Sequence, residues 1–287
     1  MTEQSRQPGA PIIICAPMAR SGTTFCKFLL DSHPQVYRAD LHEDYLLQNA
    51  DSLRFYTETL FERWDGIRAK QSLGPEKSSP DALLSAIGST LLQYIGQRNS
   101  PERLLLKTPR LCDLHVALRL FPGCQVLIMI RDPRSVVASY LRAQTDWGMA
   151  HSFESIAGRW AKSIRYLSEL LAENQQAVRD NQYILVRYER LASDTENELR
   201  LLLEKLNLPM APECMDLIEN PIVRGSSFLP RGEDGRVDFR PQPMPENFNP
   251  LERWRDWTPE RHAKFNRLCG SMMQKWGYTP VTGRGEG

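Results

Sequence analysis

The segment from Pro11 to Phe25 constrains the fold more than any other. An unbroken apolar run, Ile12-Ile13-Ile14-Cys15-Ala16, leads into Pro17-Met18-Ala19-Arg20-Ser21-Gly22-Thr23-Thr24, and an apolar helical pattern begins at Phe25. Continuous rather than alternating apolar residues suit a strand in a parallel sheet covered on both faces. The loop behind it offers backbone N–H groups, hydroxyls and the positive end of a helix dipole. Together these make a cradle for a phosphate-like anion, where the plainer alternative is a tight turn capping a helix. Against the nucleoside-triphosphate loop GxxxxGK[ST], Gly22 matches the second glycine, but Pro17 stands at the first and Thr23 at the lysine. Such a loop is poorly built for a magnesium nucleoside triphosphate. Arg20 supplies the cation instead.

Three further apolar runs read as buried strands: Leu104–Lys107, Gln125–Arg131 and Tyr183–Arg187. Helical patterns follow Gly22 and cover Leu111–Phe121, Pro133–Thr145, Phe153–Val178 and Glu196–Leu206, the last opened by Ser193-x-x-Glu196 in capping-box spacing. A final helix is expected over Pro259–Trp276. Strands alternating with helices predict an α/β three-layer sandwich with a central, mainly parallel sheet. One domain is expected over residues 11–279, with a disordered lead at 1–10 and a flexible tail at 280–287. Asn220–Pro250, rich in Pro, Gly and charge, reads as a long functional lid or a disordered loop.

Charge and composition narrow the function. The 36 Lys and Arg balance 35 Asp and Glu for a net charge of +1, which excludes the strong basic excess of a dedicated nucleic-acid binder. It also argues against a polyanionic glycan as substrate. Mean hydropathy is −0.45 and no apolar run approaches the ~18 residues of a membrane span. The N-terminus has no apolar signal stretch. The six cysteines, at 15, 26, 112, 124, 214 and 269, form no CxxC or Cys/His cluster. A reduced, cytoplasmic, metal-free protein is therefore expected.

Two more strand ends carry cations. Arg131 closes the run Ile128-Met129-Ile130 and is followed by Asp132-Pro133, with Pro133 where a first helical turn tolerates it. Either Arg131 pairs with Asp132, or it faces a ligand at the carboxyl edge of the sheet with Ser139 eight residues on. Lys107 ends a third strand in Leu105-Leu106-Lys107-Thr108-Pro109-Arg110. Three cations at one sheet edge predict an anion site.

These residues resemble the sulfotransferases that use 3′-phosphoadenosine 5′-phosphosulfate (PAPS), and the bacterial and Golgi-type branch more than the cytosolic one. The resemblance spans roughly Pro11 to Tyr278. It rests on Arg20-Ser21-Gly22-Thr23-Thr24, similar to the family's 5′-phosphosulfate loop, and on Arg131 to Ser139, similar to its 3′-phosphate motif. Arg187-Tyr188-Glu189-Arg190-Leu191, Arg224-Gly225-Ser226-Ser227-Phe228 and Trp254-Arg255-Asp256-Trp257-Thr258 resemble further family stretches. The resemblance implies sulfuryl transfer from PAPS to a hydroxyl or amine of a small or carrier-bound acceptor, without a metal. The alternatives are a nucleotide-dependent kinase and an inactive nucleotide-binding relative.

Carried over by position, the resemblance implies that Arg20, Ser21, Gly22, Thr23 and Thr24 hold the 5′-phosphosulfate, and Arg131 and Ser139 the 3′-phosphate. Phe25, Tyr188, Ser226, Ser227 and Phe228 would enclose the adenine. Arg20 and Lys107 would answer charge on the transferring group. Pro109 stands where cytosolic members carry a catalytic His, so the base is expected in Arg38-Ala39-Asp40-Leu41-His42-Glu43-Asp44-Tyr45: Glu43 first, then His42, then Asp40. The cytosolic Arg-Lys-Gly clamp on the 3′-phosphate has no match, and Arg231 or Arg236 in the long loop is expected to replace it. The acceptor is expected among residues 38–100, 142–156 and 220–250, with Trp64, Trp147, Phe153, Phe239 and Phe248 as candidate pocket aromatics.

Overall fold

The computed structural model describes residues 9–281 apart from 39, 40, 42, 72–77, 97–101, 225, 227, 229–231, 234, 237–239 and 247. Asp40, His42, Ser227, Arg231 and Phe239 therefore lie outside the described residues. The chain runs β1 (Gly9–Cys15), α1 (Thr23–Asp31), β2 (Val36–Arg38), α2 (Ala50–Lys70), α3 (Pro80–Tyr94), β3 (Arg103–Lys107) and α4 (Ala117–Leu120). It continues through β4 (Gln125–Ile130), α5 (Pro133–Ala143), α6 (Phe153–Glu173), α7 (Gln175–Arg179), β5 (Tyr183–Arg187), α8 (Tyr188–Ser193) and α9 (Thr195–Lys205). α10 (Pro212–Glu219), β6 (Ile222–Val223), β7 (Gln242–Pro243) and α11 (Pro259–Lys275) complete it.

β1 to β5 form a parallel sheet in the order β2-β3-β1-β4-β5. Side chains alternate across it, and both faces are covered. Ile13, Cys15, Leu104, Leu106, Val126 and Ile128 enter one apolar cluster with Trp160 and Ile164 of α6 and Phe265 of α11. Ile12, Ile14, Leu105, Leu127 and Met129 enter the other with Leu29 and Leu30 of α1 and Leu199 and Leu203 of α9. Each such side chain contributes roughly 1.5–3 kcal/mol on burial, so the double cover explains the unbroken apolar runs.

Local differences from the sequence expectations have identifiable causes. The helix expected over Leu111–Phe121 is interrupted by Asp113, at φ 37°, and becomes a 3₁₀ turn at Leu114–Val116 followed by α4. The helix expected through Val178 breaks at Asn174, whose amide donates to the Leu170 carbonyl at 2.8 Å. Ser193 caps nothing ahead of it: its hydroxyl donates to the Glu189 carbonyl of α8 at 2.8 Å, and α9 starts one residue after Asp194. Much of 38–100, expected as acceptor loops, is the helical pair α2 and α3. Within the expected lid, β6 and β7 pair antiparallel. No described helix is long and apolar enough to cross a membrane.

Candidate active site

The carboxyl ends of β1, β3 and β4 meet where the strand order reverses, with β3 and β4 on opposite sides of β1. Open α/β sheets bind ligands at that point. A cavity of about 790 Å³ opens there, lined in part by Arg20, Thr24, Glu43, Arg131, Tyr188 and Arg253.

The loop after β1 turns at Gly22, whose φ of +97° is left-handed backbone open mainly to glycine. A Cβ there would stand 2.2 Å from Cδ2 of Tyr188, so the missing side chain also admits the ring. α1 begins at Thr23, and Gly22, Thr23, Thr24 and Phe25 at its start all line the cavity. Ser21 does not line it: its hydroxyl donates to the Met18 carbonyl at 2.8 Å and braces the loop. Arg20, at φ 77°, donates from Nε to the Ser139 hydroxyl at 3.1 Å. Ser139 thus faces back from α5 to the strand ends.

Lys107 is buried at 1% exposure and bridges two elements. Its Nζ donates to Thr24 Oγ1 at 3.1 Å and pairs with Glu43 Oε1 at 3.1 Å. Glu43 is held beside it by its neighbour, because Asp44 accepts the Lys107 N–H at 2.5 Å and the Thr108 hydroxyl at 3.0 Å. Burial pulls the Lys107 ammonium below its ordinary range, and Glu43 partly restores it.

Arg131 does not pair with Asp132. It donates from Nη1 to the Arg20 carbonyl at 2.7 Å and from Nη2 to the Pro250 carbonyl, and lies over the Tyr188 ring at 4.1 Å. Asp132 binds Arg134 instead, at 2.6 Å, while its N–H donates to Glu189 at 2.6 Å. Arg253 enters the same cavity from the C-terminal side. It lies 3.9 Å over Phe228 and 4.8 Å over Phe248 and donates to Ser226 Oγ at 3.3 Å.

The Nε atoms of Arg131 and Arg253 are buried and have no hydrogen-bond partner among the described residues. Burial lowers Arg253 to about 9, and Arg131 and Arg20 push the same way; Arg20 falls to about 10 through burial and Arg131. Guanidinium stays protonated in proteins. The shifts express burial first and mutual repulsion second, and an anion at this spot would offset both.

Phe25 packs edge-on to Tyr188 at 6.1 Å. Ser226 lines the main cavity, and Phe228 lies in the adjoining cleft beneath Arg253. Of the candidate acceptor aromatics, Trp147 and Phe248 line the cavity. Trp64 packs on Phe61 of α2, and Phe153 packs with Trp257 and Phe265. Arg253 is a cavity cation that the sequence reading did not single out; the available signal was a basic residue directly before Trp254. Among the described residues, no group of three His, Cys, Asp or Glu converges on a metal position.

Residues 11–212 match the model of the family described as "Sulfotransferase family". The chain belongs to the sulfotransferase family. It is 26% identical over 278 residues to protein-tyrosine sulfotransferase A of Caenorhabditis elegans, covering 94% of this chain and 68% of the relative. To protein-tyrosine sulfotransferase 2 of Gallus gallus it is 24% identical, covering 94% and 70%. The sulfotransferase domain of the curacin biosynthetic pathway shares the fold at a TM-score of 0.54 and 19% identity, over 93% of this chain and 98% of that one. A mouse sulfotransferase solved with adenosine 3′,5′-bisphosphate (PAP) superposes at 0.50 and 12% identity, over 95% and 88%. This sulfotransferase thus carries its convergent cations in the family's fold.

Proposed function

We propose that this enzyme transfers the sulfuryl group of PAPS to a phenolic hydroxyl, that of a tyrosine, and releases PAP. The bridge from Thr24 through Lys107 to Glu43 carries the reading, because it joins the anion cradle to a carboxylate within one hydrogen-bond chain. The orphaned Nε atoms of Arg131 and Arg253 fit a second anionic group a short way from the loop, as the 3′-phosphate of PAPS requires. The names of the relatives favour tyrosine as the acceptor.

The residues divide the work by position. Gly22, Thr23 and Thr24 present N–H and hydroxyl donors to the 5′-phosphosulfate, and Ser21 shapes the loop. Arg131, Ser139 and Arg253 hold the 3′-phosphate. Phe25, Tyr188, Ser226 and Phe228 enclose the adenine. Glu43 accepts the acceptor's proton as its oxygen bonds to sulfur and the sulfur–oxygen bond to the nucleotide breaks. Arg20 and Lys107 stabilise the charge developing on that bridging oxygen, a role worth roughly 10²–10³ in rate per donor.

Thermal unfolding with PAP, with Mg-ATP and with adenosine 5′-monophosphate tests the donor site. PAP at about a hundred times its dissociation constant adds about 2.7 kcal/mol, a rise of roughly 5–10 °C at this size. Stabilisation by PAP alone, followed by a sulfated tyrosine peptide on incubation with PAPS, is the expected result. Stabilisation by Mg-ATP alone overturns it.

A further inference from the structure

Tyr45 stands where an acceptor hydroxyl has to stand. Its phenolic hydroxyl donates to Glu43 Oε2 at 2.7 Å, while Glu43 Oε1 pairs with Lys107 at 3.1 Å. Both oxygens of the proposed base are therefore engaged, one by the cation that faces the phosphate loop and the other by a phenol. A base acts on a hydroxyl within roughly 2.6–3.2 Å, and that position beside Oε2 is taken. Tyr45 lines the cavity, yet its side is 37% exposed. The ring is free to leave toward solvent.

The backbone holds the residue there at some cost. Tyr45 has φ +51°, left-handed and unfavourable for an aromatic residue. The loop imposes it from both sides. Asp44 is fastened to Lys107 through its N–H at 3.3 Å and its carboxylate at 2.5 Å, and the Tyr45 carbonyl accepts the Gln48 N–H at 2.8 Å. The hydroxyl is thus aimed at Glu43 by the same anchor that sets Glu43 beside Lys107.

We propose that Tyr45 is a positioning residue: without an acceptor its hydroxyl holds Glu43 oriented and ionised and keeps water from it, and an incoming acceptor hydroxyl displaces it. This rests on Glu43 being the base of the sulfuryl transfer proposed above. Two consequences follow from removing the hydroxyl alone. The carboxylate loses a donor to its charged form, so its pKa rises. Water gains the vacated position and becomes an acceptor itself, its oxygen bonding to sulfur as the bond to the nucleotide breaks and its proton passes to Glu43.

The experiment is acceptor-free hydrolysis of PAPS to PAP and sulfate across the pH range, in wild type, Tyr45→Phe and Tyr45→Phe/Glu43→Gln. Tyr45→Phe is expected to hydrolyse PAPS about two- to tenfold faster than wild type, with the acid limb of its profile about half a unit to one unit higher. The double variant is expected to lose that gain. A residue that merely packs would move neither readout, since Phe keeps the ring. Equal rates and equal limbs in wild type and Tyr45→Phe, including background rates in both while PAP still raises their thermal stability, overturn the inference. Failure of PAP to stabilise wild type overturns the donor-site reading beneath it, and the inference with it.

Discussion

Asp44 and Lys107 are joined twice: the Lys107 N–H donates to Asp44 Oδ2 at 2.5 Å, and the Asp44 N–H returns a backbone bond to the Lys107 carbonyl at 3.3 Å. Oδ1 of the same carboxylate accepts from the Thr108 hydroxyl at 3.0 Å and the Leu46 N–H at 3.1 Å. Only a group with acceptors on both sides satisfies this set. Asp44→Asn would turn an NH₂ toward one of these donors, which costs roughly 1–3 kcal/mol. Sulfuryl transfer is expected to fall more than PAP affinity, because Glu43 shifts while Arg20 and Arg131 keep their partners. Titration with PAP beside a transfer assay checks this; equal losses in both would make Asp44 a general fold determinant.

Lys107 has a testable pH signature. Burial lowers its pKa from the ordinary 10.5, and in the proposed mechanism the charged form is the one that serves the transferring group. As pH rises, the free enzyme should lose its charge before an exposed lysine would. The alkaline limb of kcat/KM for PAPS, which reports the free enzyme, is therefore expected below pH 10.5. Lys107→Arg should push that limb upward, and Lys107→Ala or Arg20→Ala should cost roughly 10²–10³ in turnover with the fold intact. A limb unmoved in Lys107→Arg would assign it to another group.

Gly22 is held by conformation and by contact. Alanine at φ +97° costs about 1–2 kcal/mol, and its Cβ would meet Cδ2 of Tyr188 at 2.2 Å. Gly22→Ala is expected to lower Tm by about 2–8 °C and to abolish PAP binding, since the displaced ring is the one beneath Arg131. Tyr188→Ala in the same chain removes the clash and leaves the backbone cost, so it should restore part of the lost stability. Full stability in Gly22→Ala alone would refute the close approach.

The sheet was legible because double-sided burial writes itself as unbroken apolar runs such as Ile12-Ile13-Ile14. The phosphate loop was legible because a left-handed turn and a helix start require particular residues in a short span. α2 was not, since among its 21 residues only Ala50, Thr57 and Phe61 are buried, too sparse for a stripe. α3 did carry a signal, Leu84, Gly88 and Leu92 at every fourth position, with Ser79 capping Ala82 at 3.2 Å. Glu43 was singled out only through its family position, because the Lys107 that pairs with it lies far along the chain. Arg253 was only weakly marked, by its place directly before Trp254: chain folding brings it to the cavity beside Arg131, and that adjacency alone does not encode the meeting.

Arg253 gives the sharpest test of how the donor is recognised. Its guanidinium sits over Phe228 and Phe248, bonded to Ser226, with Nε buried and unpartnered among the described residues. It is repelled by Arg131 and Arg20, and burial lowers its pKa to about 9. A 3′-phosphate would relieve the repulsion and satisfy the orphan N–H at once, and charged hydrogen bonds contribute roughly 1.5–3 kcal/mol each. Arg253→Ala is therefore expected to weaken PAP binding by about ten- to a hundredfold. Adenosine 5′-monophosphate, which lacks that phosphate, should bind wild type and variant nearly alike. Isothermal titration of both nucleotides against both proteins separates recognition from packing: an equal loss for the two ligands would make Arg253 a wall of the pocket rather than a reader of the 3′-phosphate.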